Sequence, residues 1–227
     1  MSGLGRASVL LGAGTLVSRL TGLIRTIVLV AVLGTMSSRA GDAFAQANQL
    51  PNNVNAIISA GVLTAVIVPQ IVRASAREDR GQRFISALFT AGIVVLLAVT
   101  AVAMLLAPVL ITLYAPAYSP EQHALATAFA YWCLPQIFFY GLYSLLGETL
   151  NARRIFGPFT WAPVLNNVIS IAGFLLLMLV IGGDRSAVSD WSGASIAALG
   201  GTATFGIAVQ ALILLVSWRR TGLRLRP

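Results

Sequence analysis

Two arginines, Arg19 and Arg25, stand inside an apolar stretch from Ala7 to Gly34 that otherwise reads as a membrane-spanning helix. A cation at the centre of such a helix costs about 2.5 to 3.5 kcal/mol on insertion scales, so two of them need a compensating role. A guanidinium is planar, always charged and rich in donors, a good match for phosphate oxygens. The chemistry these residues suggest is anion binding at bilayer depth. The competing role is structural: snorkelling to the interface, or pairing with a carboxylate inside the bundle.

On a wheel of about 100° per residue, Gly14, Thr15, Ser18, Arg19, Gly22 and Arg25 share an arc of roughly 140°. Leu16, Val17, Leu20, Leu23, Ile24 and Ile27 fill the opposite side. One face meets lipid or packed apolar helices; the other must meet water, a partner helix or a ligand. Gly14, Ser18 and Gly22 also form a small-residue row that lets another backbone approach closely.

The next stretch carries a second polar pattern. Asp42, Gln46, Gln49 and Asn53 recur at intervals of four, three and four, and Ala56, Ala60 and Thr64 continue the stripe. Such a stripe is expected to line a hydrated cavity. Asn48, Asn52, Asn55 and Ser59 form another on a different face, which predicts that this helix sits between neighbours. Asp42 is the only carboxylate near the arginines in sequence; alternatively it is a first-turn charge favoured by the helix dipole. The candidate substrate-binding residues are Arg19, Arg25, Asp42, Ser18, Gln49 and Asn53.

Other chemistries fit poorly. The fifteen basic residues are all arginine, so no Walker A loop exists. The single cysteine, Cys133, allows neither an intrachain disulfide nor a metal cluster and reads as a small buried hydrophobe. His123, alone near a helix end, reads as a surface or headgroup residue. An enzyme acting on prenyl pyrophosphates would gather carboxylates around magnesium, but the seven acidic residues are scattered. The chain is therefore read as a non-enzyme without a cofactor, and nothing in it identifies a coupling ion. Nucleic acid is excluded as a partner because the net charge of +8 is spread over loops rather than gathered on one face.

The elements that must position these residues are membrane helices. The chain is 57% hydrophobic and 10% charged, with mean hydropathy +0.85, more apolar surface than a soluble domain of 227 residues can hide. Six spans are expected, over residues 7–34, 40–72, 84–114, 122–150, 155–183 and 191–218. Leu50-Pro51 interrupts the second, Pro135 and Gly141 the fourth. The first apolar run is too long for a signal peptide and lacks a small-residue cleavage site, so it reads as a retained helix.

Arginine sorting supports this count. With the N-terminus cytoplasmic, the inner segments hold Arg6; Arg73, Arg77, Arg80 and Arg83; Arg153 and Arg154; and Arg219, Arg220, Arg224 and Arg226. Only Arg39 and Arg185 fall outside. Both termini are accordingly expected in the cytoplasm.

Several runs stand out: Ser18-Arg19-Leu20-Thr21-Gly22-Leu23-Ile24-Arg25, Gly41-Asp42-Ala43-Phe44, and Leu50-Pro51-Asn52 followed by Gly61 and Val68-Pro69. Ala115-Pro116 and Leu150-Asn151-Ala152 follow, ahead of Ala162-Pro163-Val164-Leu165-Asn166-Asn167. Together they resemble the MurJ/MviN family of lipid II flippases, and the resemblance covers essentially the whole chain. It implies an all-α polytopic exporter of the multidrug/oligosaccharidyl-lipid/polysaccharide superfamily, whose two six-helix lobes enclose a cavity that opens alternately inward and outward. It also implies the undecaprenyl-pyrophosphate-linked peptidoglycan precursor as substrate, a bacterial cytoplasmic-membrane location and lipid contact. Arg19 and Arg25 match cavity arginines that the family needs, and Asp42 matches its acidic residue at the start of the second helix. A flippase for another polyprenyl-linked saccharide or anionic amphiphile is the alternative.

Three departures stand out. Asn55-Ala56 occupies the place of a frequent arginine pair, and Thr26 that of a frequent aspartate. The sequence also stops after six helices with a basic tail, Arg219 to Pro227. The second lobe is thus expected on a missing segment or a second chain, this chain being truncated, a fragment, or half of a split or dimeric transporter.

Overall fold

The computed structural model describes residues 3–35, 37–58, 82–153, 155 and 157–218. All regular structure among them is helical: α1 Gly3–Leu33, α2 Arg39–Ile58, α3 Gln82–Leu105, α4 Ala107–Tyr114, α5 Pro120–Cys133, α6 Gln136–Ala152, α7 Gly157–Ile181 and α8 Gly193–Trp218, with a 3₁₀ turn at Val188–Asp190.

Two of the expected spans are broken helices. Pro108 lacks the N–H that would continue the ladder, and the chain steps from α3 into α4 at Leu106. Pro135 does the same between α5 and α6, although the two together are long and apolar enough for one crossing. Leu11–Leu33, Gln82–Leu105, Gly157–Ile181 and Gly193–Trp218 also meet that criterion. The described part of α2 does not, because amide side chains crowd it. The rest of the expected second span, residues 59–72, lies outside the described residues, as do Arg73, Arg77 and Arg80.

Successive crossings alternate in direction, so α7 and α8 run antiparallel while the packed pair α1 and α7 runs parallel. The C-terminus of α1, the start of α2, the end of α4, the start of α5, the end of α7 and the start of α8 gather at one end, here the Leu33 end. The loop 182–191 closes it: the Asp184 and Arg185 N–H groups donate to Ala31 O and Val32 O at 3.0 Å each, satisfying carbonyls at the end of α1. Arg185 caps α7 through Ile181 O. Gly34 takes a positive φ of 78° there, and a Cβ on it would lie 2.2 Å from Asp184 Oδ1. The opposite, Trp218, end gathers the starts of α3 and α7 and the ends of α6 and α8.

Each end has its own apolar core. Phe44, Phe129, Phe174, Leu33, Ile111 and Trp191 fill the Leu33 half; Ile85, Phe89, Leu146, Leu150, Leu214 and Trp218 fill the other. Gln136, fully buried, lies where the two meet. Helices α7 and α8 approach closely at glycines, since a Cβ on Gly173 would lie 2.3 Å from Thr202 Cγ2 and one on Gly206 2.4 Å from Asn166 Oδ1. Large apolar side chains such as Val94, Leu113, Leu179 and Val216 point outward, the surface a hydrocarbon solvent requires.

Candidate functional site

Helix α1 packs chiefly on α7 and only slightly on the start of α2. The small-residue row makes this contact: a Cβ on Gly14 would fall 2.7 Å from Thr160 Cγ2 and 3.2 Å from Trp161 Nε1, and one on Gly22 3.5 Å from Asn167 Nδ2. Part of the polar arc thus meets a partner helix. The leucine face stays open, with Leu16, Leu20, Leu23, Ile24 and Ile27 all about half exposed or more.

The two arginines occupy different settings. At about 100° per residue they lie about 120° apart around the helix. Arg25 is half-buried on the packed side, within electrostatic reach of Tyr140 and Cys133 on the α5–α6 pair. Arg19 is exposed at the edge of that side. Among the described residues neither guanidinium has a hydrogen bond or an ion pair. Ser18, half-buried between them, offers its backbone carbonyl to Asn167.

The polar stripes of α2 separate as their spacing predicts. Gln49 is exposed and donates to Asn53 Oδ1 at 3.0 Å, one turn on, while Gln46 and Asn53 are half-buried. Asn48, on the other face, accepts from Gln136 Nε2 at 3.1 Å, and Asn52 donates back to Asn48 O at 3.3 Å. Pro51 removes a ladder N–H, in keeping with the many local amide bonds here.

Asp42 stands in the first turn of α2, where Ser38 caps the helix by accepting from the Gly41 N–H at 2.9 Å. The Tyr118 hydroxyl is buried beside it without completing a hydrogen bond. Burial, and then the adjacent Asp42 carboxylate, push the phenol above its ordinary value. Asp42 lies at the Leu33 end, whereas Arg25 lies deeper; the structure does not join the two.

Several residues of the site region escape the sequence patterns. Gln136 Nε2 also donates to Thr204 Oγ1 at 3.1 Å, and Thr204 donates to Trp132 O at 2.6 Å, tying α2, α5, α6 and α8 together at the proline bend. Asn167 Nδ2 donates to Thr21 Oγ1 at 3.0 Å. Asparagine or glutamine within an apolar run is the available signal for such residues, but it does not say which helix each one faces. Cys133 is buried and free, and His123 Nε2 lies 2.7 Å from Thr112 Oγ1. No group of His, Cys, Asp and Glu able to hold a metal occurs among the described residues.

A family model described as lipid II flippase MurJ matches residues 22–227. The probable lipid II flippase MurJ of Rickettsia prowazekii is 27% identical over 169 residues, covering 73% of this chain and 33% of its own length. That of Rhizobium meliloti is 28% identical over 223 residues, covering 94% and 39%. A solved lipid II flippase MurJ in an inward closed conformation superimposes with a TM-score of 0.70 at 21% identity, over 96% of this chain and 43% of that one. The chain therefore spans less than half the length of these relatives.

Proposed function

This chain belongs to the lipid II flippase MurJ family, and we propose that it forms one six-helix lobe of a transporter that carries an undecaprenyl-pyrophosphate-linked peptidoglycan precursor across the bacterial cytoplasmic membrane. The observation that carries this reading is Arg25, a guanidinium half-buried among membrane helices with no hydrogen bond or ion pair among the described residues. A cation left in that state is costly unless an anion visits it.

The mechanism is electrostatic. The hydrocarbon core rejects a pyrophosphate. Arg25, with Arg19 at the rim, replaces part of its hydration by charge-assisted hydrogen bonds. Ser18, Gln49 and Asn53 supply neutral polar contacts to the remaining headgroup, and Asp42 acts at the Leu33 end. The prenyl tail stays in lipid beside the exposed apolar face of α1 while the headgroup moves. Alternating access requires a second lobe, on a longer chain or a second one, against which this lobe rocks.

Orientation follows from charge and direction. That α1 finishes and α2 begins at the Leu33 end, while α3 starts at the Trp218 end, supports the expected second span over residues 40–72. The arginine bias then puts both ends of the chain in the cytoplasm.

The test is complementation of cells depleted of their own flippase by the full-length transporter. Arg25→Ala is expected to insert normally and fail to support growth. Full growth with Arg19 and Arg25 both replaced by alanine would remove the anion-site reading.

A further inference from the structure

Among the described residues, polar contacts reach α1 at its end, where the 182–191 loop donates to Ala31 O and Val32 O, and midway along it, from one side chain of α7. Its packing on α7 relies on a small-residue row and apolar groups, which fix separation better than rotation. The directional contact midway along the helix, between the two arginines, is Asn167, 7% exposed, whose Nδ2 donates both to Ser18 O and to Thr21 Oγ1 at 3.0 Å each. The Thr21 hydroxyl spends its own proton on Val17 O at 2.9 Å, leaving a lone pair for the amide. Both protons of the Asn167 amide are thus used, on a carbonyl one residue before Arg19 and a hydroxyl four residues before Arg25.

We propose that Asn167 is a positioning residue for the cationic site, setting the rotation of α1 and through it the directions of Arg19 and Arg25. The inference rests on the anion-binding reading above. Turning α1 by about 30° swings a side-chain tip about 3 Å, given a helix diameter of 10–12 Å. That is enough to separate a guanidinium from a phosphate it should contact. Asn166, its neighbour in the same motif, faces Gly206 of α8 instead, so the two asparagines serve different interfaces. Donor character is essential to this role: an aspartate of the same shape would set acceptors against Ser18 O and the Thr21 lone pair.

The experiment uses the full-length transporter in lipid nanodiscs with Cys133→Ala as background, undecaprenyl pyrophosphate as probe, and Asn167→Leu beside the milder Thr21→Val. Each hydrogen bond lost is expected to weaken probe binding about threefold, the equivalent of ~0.6 kcal/mol, so Thr21→Val loses about threefold and Asn167→Leu about tenfold. Single cysteines at Thr15, Thr26 and Val28 report rotation by maleimide labelling. The half-buried Val28 position is expected to gain reactivity and the exposed Thr26 position to lose it, while thermal stability of the transporter stays near the parent's.

Unchanged labelling in both variants overturns the proposal, as does parent-like probe affinity accompanied by a changed labelling pattern. Arg25→Ala in the same assay separates the two levels of inference. Parent-like probe binding by that variant defeats the substrate reading, and the labelling pattern alone then decides the role of Asn167.

Discussion

Gln136 Nε2 lies 3.1 Å from Asn48 Oδ1, joining the start of α6 to the middle of α2 across the meeting plane of the two apolar cores. The same amide reaches Thr204 on α8, so one fully buried side chain bridges three helices. Replacing it with leucine leaves the shape and removes both donors. Gln136→Leu is expected to cost about 1–2 kcal/mol, and Asn48→Leu in the same background to add little, because the shared bond is already gone. Thermal unfolding of the two single variants and the double variant in detergent measures this coupling; full additivity would mean that the bond contributes nothing.

The crossing of α7 and α8 depends on Gly206. An added methyl there would meet Asn166 Oδ1 at 2.4 Å and Asn166 O at 3.1 Å, and backbone does not yield cheaply. Gly206→Ala should lower stability by about 1–3 kcal/mol. Gly193→Ala, where a Cβ meets nothing within 4 Å, serves as the neutral control in the same melting assay.

Docking of α1 can be broken from its own side. Gly14→Leu must displace Thr160 and Trp161, lifting the arginine-bearing helix off α7. It is expected to abolish growth support, whereas Gly12→Ala, with open space around it, retains it. Membrane-fraction immunoblots distinguish loss of function from loss of protein.

The two arginines should tolerate lysine differently. Arg25 is half-buried and Arg19 exposed, and the planar fork of a guanidinium matters most where little water can substitute for it. Arg25→Lys is expected to lose transport by about tenfold or more, and Arg19→Lys by less than about threefold. Equal losses, measured as flipping rates in reconstituted vesicles, would show that the two positions share one environment.

Cys133 is completely buried in the core of the Leu33 half. It is expected to resist maleimide in the folded transporter and to react at once after denaturation. Rapid labelling of the native protein would place a water-filled path beside it.

Membrane character and the glycine row are readable from residue types alone, because hydropathy and a 3.6-residue period are local quantities. Gly14, Ser18 and Gly22 are small and evenly spaced, and they do meet another helix. The α2 stripes are readable for the same reason: Gln49 and Asn53 bond to each other one turn apart, and Asn48 turns to a neighbour. The breaks at Leu106 and Leu134 follow from prolines, yet a proline within an apolar run does not say whether a crossing bends or stops.

What the sequence by itself determined is the solvent and the pattern: apolar helices for a bilayer, and two guanidiniums placed among their apolar side chains. The tertiary structure decided which arginine faces inward and which partner each polar side chain meets. Asn166 and Asn167 are adjacent and chemically identical, yet one faces Gly206 on α8 and the other holds Ser18 and Thr21 on α1. The reason is geometric. Successive residues of a helix point about 100° apart, and which neighbour stands in each direction is fixed by the packing of segments distant in the chain.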